Sequence, residues 1–277
     1  MIPYTLHTIE LDLLKPAHSG VARYVAPLRE GGSLPALAEG DDGYMYVVKM
    51  RGAGHGAKAL ISEFIGTMIA QATHLRVPQL ALLDLDEDFG RTEPDEEIQE
   101  LLQASRGLNL GLHFLEGALT WDVAVNRTTP EEASAIVWLD AFLTNVDRTF
   151  RNTNMLLWRG SLWLIDHGAS LYFHHNWQGW EKAALSPFPY IKDHALLPLA
   201  SRIREADAIM HAAITPELIA GIVSLIPEEW LLQAEPDIPV DQQRYVYRTF
   251  LTQRLTNSQI FVDHAIKARK QLKSAER

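Results

Sequence analysis

The seven residues Tyr44 to Met50, YMYVVKM, alternate with period two behind the turn residues Asp41-Asp42-Gly43. That pattern predicts a strand with Met45, Val47 and Lys49 on one face. The period then changes. In the segment from Ala57 to Pro78, the residues Leu60, Phe64, Met68, Ala72 and Leu75 form a helical stripe that has to stop before Pro78. Glu63 falls at the edge of this stripe. Upstream, REGGSLPALAEG (29–40) has the Gly and Pro content of a hairpin or loop between short strands. A second helix is announced by Thr129 as N-cap, Pro130 at the first helical position and Glu132 closing a capping box. Its length carries it to about Asn145, which leaves Asp147 in the loop beyond. Residues 198–214, 216–226 and 241–271 also carry helical periodicity, so the C-terminal half reads as mostly helical. Composition shifts at two places, Asp84 to Glu97 and Gln233 to Gln243, and both read as solvated loops. The first would separate a β-rich N-terminal unit with one main helix, residues 1–85, from a mainly helical unit, residues 86–277, giving an α+β fold.

Between the Thr129 helix and the later helices lie two short apolar runs, Met155–Trp158 and Leu162–Ile165, separated by Arg159-Gly160-Ser161. Gly160 supplies what a tight hairpin turn needs. With Arg159 and Gly160 as the central turn residues, Trp158 pairs with Ser161 and Asp166 comes opposite Thr153, between Asn152 and Asn154. Such a hairpin carries an amide and a carboxylate to its open end, with Asp147 a few residues upstream. Two hard oxygen ligands on a rigid frame suit Mg²⁺, which leaves its other positions to water and phosphate. A further carboxylate that need not bind metal can accept a proton from an attacking hydroxyl.

Composition narrows the setting. The chain has 277 residues, 47% hydrophobic and 22% charged, enough for one large domain or two packed units. The formal charge of −10 opposes nucleic acid as a main partner. Cysteine is absent, which excludes disulfides and thiolate metal sites and fits a reducing compartment. No apolar run reaches membrane-spanning length and the first residues lack a signal-peptide pattern, so a soluble cytoplasmic protein is expected.

The spacing sharpens the chemistry. Asp147 and Asn152 are five residues apart, the offset of Asp and Asn in the protein-kinase catalytic loop, and Asp166-His167-Gly168 stands where that template has Asp-Phe-Gly. Val47-Val48-Lys49-Met50 occupies the place of the strand-borne phosphate lysine, with Glu63 in the next helix able to pair with it. A lysine on a buried face has to be paired. Taken singly, Lys49 reads more often as a strand residue reaching solvent, and Asp147, Asn152 and Asp166 could be loop residues capping backbone amides. Asp140, seven residues before Asp147, reads as a structural partner of the loop. Arg148 and Arg151 could order the loop or meet phosphate, and His174, His175 and His194 lack the spacing of a metal site.

Together GGSLP (31–35), YVVKMRGAGHGAKALISEFIG, RVPQ, NVDRTFRNTNMLLW and LWLIDHGASLYF, with the weaker KDHALL and PEEWL, resemble the HipA-like serine/threonine kinases, in particular their short, single-domain branch. The resemblance implies a bilobal kinase-like fold, a small β-rich N-terminal lobe and a larger mainly helical C-terminal lobe with ATP between them. It implies Asp147 as catalytic base, Asn152 and Asp166 as Mg²⁺ ligands, Lys49 on phosphate with Glu63 as its partner, and Gly31, Gly32 and Ser33 as the phosphate-covering loop. In the founding member of the family a serine of that loop is autophosphorylated and the enzyme shut off; Ser33 is the candidate here. The implied reaction moves the γ-phosphate of ATP to Ser or Thr of a protein. Small-molecule kinases of aminoglycoside or choline type share the same side-chain set, and a non-catalytic nucleotide-binding module is a further alternative. An antitoxin-like regulatory partner follows only from the resemblance, since the chain lacks the separate N-terminal subdomain of full-length members. The departures are the missing G-x-G-x-x-G, Asn145-Val146 in place of His-Arg, His167 in place of Phe, and Thr149 where the family's founding member has His.

Overall fold

A computed structural model describes residues 11–28, 34–54, 56–86 and 93–275. After a short helix α1 (Leu11–Leu14), strands β1 (Ala17–Pro27), β2 (Ala36–Gly40) and β3 (Met45–Lys49) form an antiparallel meander. The long helix α2 (Gly56–Ala72) follows, then β4 (Leu80–Leu85), helix α3 (Glu96–Ala104) and β5 (Gly107–His113). The five strands close into a barrel in the order β1-β2-β3-β5-β4, with β1 and β4 running parallel at the seam. Strand β3 alternates as expected. Tyr46 and Val48 are buried in a small core with Ala36, Ala38, Ala81 and Leu83, while Met45, Val47 and Lys49 share the other face.

The acidic segment 84–97 lies between two neighbouring strands of this barrel, because β5 pairs with both β3 and β4. The β-rich part therefore runs through His113, beyond residue 85. The segment also contains a helix start, with Asp95 as the N-cap of α3.

Helix α2 is buried on nearly every side. It ends at Ala72, three residues before the last position of its apolar stripe, because His74 turns left-handed (φ 58°) and the Leu75 N–H bonds back to Ala70 O at 3.0 Å. Leu75 is still buried, but from the far side of the cap.

The remainder is mainly helical. Strand β6 (Leu119–Thr120) precedes α4 (Pro130–Leu143), and the hairpin β7 (Met155–Trp158) and β8 (Ser161–Leu164) completes a three-stranded sheet β6-β7-β8. Helices α5 (Trp180–Ala184), α6 (Ile203–Ala213), α7 (Pro216–Ser224), α8 (Glu228–Ala234), α9 (Val240–Thr256) and α10 (Gln259–Ala275) follow. Thr129 caps α4 as expected, its hydroxyl accepting from Glu132 N at 3.1 Å. The reciprocal half of the box is replaced: the Glu132 carboxylate takes Arg76 and Thr128 instead. Residues Ala133 to Leu143 are all buried, so α4 is the central helix. The second expected loop is short, since α8 reaches Ala234 and α9 starts at Val240; the buried Gln243 amide closes it by donating to Leu231 O, Glu235 O and Ile238 O.

Helix α8 joins the helical part to the barrel. Trp230 packs edge-on to Phe64 of α2 and donates its indole N–H to Leu108 O of β5 at 2.9 Å, while Glu229 pairs with Arg51 at 2.7 Å. One apolar core then runs from α2 and β5 through α4 to α9 and α10. No single helix among the described residues is long and apolar enough to cross a membrane.

Candidate active site

The hairpin has the register that the Arg159-Gly160 turn requires: Trp158 faces Ser161 and Met155 faces Leu164. Arg159 and Gly160 both have positive φ, 49° and 75°, as a type I′ turn demands. Past the last paired residues, Ile165 N donates to Asn154 O at 3.1 Å, so Asn152 and Asp166 emerge together at the open end. Asp166 itself is left-handed (φ 56°), a conformation that Asp tolerates better than most residues, and its Oδ1 accepts from Gly168 N at 3.4 Å.

Lys49 arrives at this point from the barrel. Its ammonium donates to Glu63 Oε2 of α2 at 2.7 Å and to Asp166 Oδ1 at 2.6 Å. The lysine side chain is 14% exposed, Glu63 wholly buried and Asp166 41% exposed, so the cluster opens to solvent on the Asp166 side only. Sequence periodicity set Glu63 at the edge of the buried stripe; burial is complete, with Lys49, Thr67 and His167 around the carboxylate. Burial alone would raise the Glu63 pKa, but the Lys49 charge, helped by His167, outweighs it and brings the carboxyl down to about 2. For Lys49 burial acts downward, and Glu63 with Asp166 overcomes it and raises the ammonium above its ordinary range.

Asp147 sits past the end of α4, where Thr144 turns left-handed (φ 55°) and stops the helix. Its carboxylate Oδ2 accepts from Asn152 Nδ2 at 2.8 Å and from Asn154 Nδ2 at 3.1 Å. Half-burial pushes its pKa up, the nearby negative charge of Asp166 adds to this, and the two amides and Arg148 oppose it. The hydrogen bond that Asn152 Nδ2 donates to Asp147 leaves the Asn152 side-chain oxygen available, and Asp166 Oδ2 accepts from no group among the described residues. Two hard oxygens, one amide and one carboxylate, are a donor set that suits Mg²⁺ with water and phosphate as further ligands, and among the described residues no three His, Cys, Asp or Glu side chains converge as a metal centre of their own.

Beneath this loop is a buried polar network centred on Asp140. Its Oδ2 takes Arg148 Nε at 2.6 Å and His194 Nε2 at 2.9 Å, and its Oδ1 takes Asn145 Nδ2 at 2.9 Å. Arg148 Nη1 also donates to Asn154 O and Ile165 O, one carbonyl on each arm of the open hairpin end. Of the two roles considered for Arg148, ordering the loop is the one it fills, because its guanidinium points inward and is buried. Burial would raise the Asp140 pKa, and Arg148 with His194 drives it well below the usual carboxylate range instead. Two of the histidines have structural partners: His194 serves Asp140, and His174, whose pKa burial lowers to about 3, bridges Ser62 of α2 and Tyr247 of α9.

Two further residues escaped sequence reasoning. His167 is fully buried against α2, where a Cβ on Gly66 would come within 2.6 Å of its own Cβ. Its Nδ1 lies 3.4 Å from Thr67 Oγ1 and 3.9 Å from Glu63 Oε1. Asn154 is the second donor to Asp147, and its position directly before the strand was the available signal. Gly31, Gly32 and Ser33 lie outside the described residues.

The family profile of the HipA-like kinases matches residues 21–262. Among solved structures the chain is similar to the Helicobacter pylori proinflammatory kinase CtkA, with a TM-score of 0.59 at 12% identity over 93% of this chain and 99% of that one; at such identity the likeness is one of fold. No curated protein sequence matches the chain. The family match defines the class, a kinase-type phosphotransferase. The chain belongs to the HipA-like kinase family.

Proposed function

We propose that the protein is an ATP- and Mg²⁺-dependent kinase that phosphorylates Ser or Thr of a protein, with its nucleotide held between the barrel and the helical part as in a bilobal kinase. The observation that carries this reading is the single contact point at which Lys49 meets both Glu63 and Asp166. It joins a phosphate-binding cation from one part to a metal-binding carboxylate from the other.

Lys49, fixed by Glu63, would hold the α/β-phosphates of ATP. Asn152 and Asp166 would hold Mg²⁺, which neutralises charge on the β- and γ-phosphates when bound. Asp147, aimed by Asn152 and Asn154, accepts the proton of the acceptor hydroxyl. The hydroxyl oxygen forms its bond to the γ-phosphorus as the bond from the γ-phosphorus to the β,γ-bridging oxygen breaks, and ADP leaves with that oxygen and the electron pair. Catalysis is positioning and charge neutralisation. Ser33 remains the candidate for autophosphorylation.

Incubation of the wild type and Asp147→Ala with γ-labelled ATP and Mg²⁺, followed by mass spectrometry of the protein and of a cell lysate, tests the reading. Phosphoserine or phosphothreonine formed by wild type alone supports it. Equal labelling by both proteins, or no ATP consumption by either, rejects it.

A further inference from the structure

The segment leaving Asp166 runs back along the end of α4: Val146 N bonds to Ala169 O, Leu171 N to Leu143 O at 2.7 Å, and Tyr172 N to Thr144 Oγ1 at 3.0 Å. On the far side of this pairing is a cavity of about 650 Å³, walled by Thr144, Tyr172, Phe173, Ala183, Phe188 and Tyr190. It therefore begins three residues from Asp147. The opposite wall is tied to the same loop, since Ala195 N donates to Arg148 O and Thr149 bridges to His194.

The cavity is preformed. Buried Arg254 reaches from α9 and donates to Ala141 O and Phe142 O at the end of α4 and to Ala184 O and Ser186 O after α5, which fixes the two walls relative to each other. Thr144 and Phe188 of its lining are two of the eight non-glycine residues with positive φ among the described residues, each at φ 55°. At Thr144 this conformation is the C-cap of α4, whereas phenylalanine gains nothing locally from it, and strain of this kind collects where a chain shapes a binding site.

The lining includes exposed Lys182 and His175 and no Asp or Glu, although the chain carries a net charge of −10. An occupant with an acidic group is favoured over a cationic one. Tyr172, Leu185 and Tyr190 of the lining are exposed apolar side chains, and so is Phe150 in the Asp147 loop (52% exposed), next to the Thr149–His194 bridge. A small metabolite would cover the lining alone, whereas an extended polypeptide with one side chain in the cavity would run on to the Asp147 loop, which begins at the lining residue Thr144.

We infer that this cavity is the acceptor-docking site: it takes a large apolar side chain of the polypeptide that carries the acceptor hydroxyl, with an adjoining acidic residue directed to Lys182. The inference rests on the kinase reading above and adds the class of sequence that the kinase selects.

The test is a synthetic peptide library with one central serine and random flanks, offered with γ-labelled ATP and Mg²⁺ to wild type, Lys182→Glu and Ala183→Trp. Choline and an aminoglycoside are included as small acceptors. Flank preference is a ratio within one preparation, so partial misfolding of a variant does not disturb it. Wild type should favour Phe, Tyr, Leu or Met at one fixed offset, beside Asp or Glu, by about tenfold. Lys182→Glu should turn the acidic preference basic, and Ala183→Trp should abolish the preference for a large side chain. Labelling without flank preference, a preference unchanged in both variants, label on the small acceptors alone, or ATP hydrolysis without any labelled peptide would each overturn the inference. Absence of ATP turnover in wild type would instead reject the kinase reading beneath it.

Discussion

The Arg148 guanidinium and the Asp140 carboxylate, neither exposed to solvent, meet at 2.6 Å under the loop that carries Asp147. A buried ion pair is weak evidence of stability by itself, but removal of one partner strands the other charge without water. Asp140→Ala should therefore cost about 3–5 kcal/mol, since Arg148, His194 and Asn145 all lose an acceptor. Urea unfolding measures this. A loss below about 1 kcal/mol would mean that the loop is held by other means.

Glu63 gives a pH dependence of definite sign. Its folded pKa, about 2, lies below its unfolded value near 4.5, so the stability that it contributes is complete above 4.5 and is lost as pH falls toward 2. Within that window its share changes by at most about 1.4 kcal/mol per pH unit. The pH profile of unfolding for Glu63→Gln should be flatter than that of wild type between pH 4.5 and 2, and parallel to it above. Profiles of equal slope across the whole range would exclude the buried Lys49 pair as the cause.

The two aspartates of the proposed reaction should separate kinetically. Asp147→Ala should lower turnover by about 10²–10⁴ while ATP still raises the melting temperature in the presence of Mg²⁺. Asp166→Ala should lose the Mg²⁺-dependent part of that thermal shift. Because half-burial and Asp166 raise the Asp147 pKa, the acid limb of kcat/KM should lie above the ordinary aspartate value of 3.8. An identical thermal response and turnover in both variants would contradict the division of roles.

Much of this site was legible because its signals are local. The hairpin register follows from Arg159-Gly160, and Lys49 and Glu63 from one strand and the next helix, each within a window where periodicity fixes the face. The barrel closure was not legible. Strand β5 holds Gly107 and Gly111, which weaken a strand pattern, yet a Cβ at Gly111 would lie 2.5 Å from Leu83 Cδ1, so the glycine is there for a strand distant in sequence. The same applies to α8, whose Trp230 bonds to Leu108 across 122 residues. His167 looked like a departure from Asp-Phe-Gly, and nothing near it in sequence reveals that Gly66 is its floor.

That contact yields the last prediction. Gly66 is inside a helix, where alanine is ordinarily worth about 1 kcal/mol of stability. Here the added Cβ would sit 2.6 Å from His167 Cβ and 2.9 Å from its Cγ, closer than any relaxed packing allows, so Gly66→Ala should destabilise instead. His167 adjoins Asp166, and any shift that relieves the clash moves the carboxylate bonded to Lys49. The variant should therefore lose stability, by about 1–3 kcal/mol, together with part of its ATP- and Mg²⁺-dependent thermal shift. His167→Gly in the same chain removes the colliding atoms, so the double variant should lose less than the sum of the two single changes, with an interaction energy of at least about 0.5 kcal/mol. Strict additivity, in a urea-unfolding double-mutant cycle, would show that helix α2 and the Asp-His-Gly segment are not coupled through this contact.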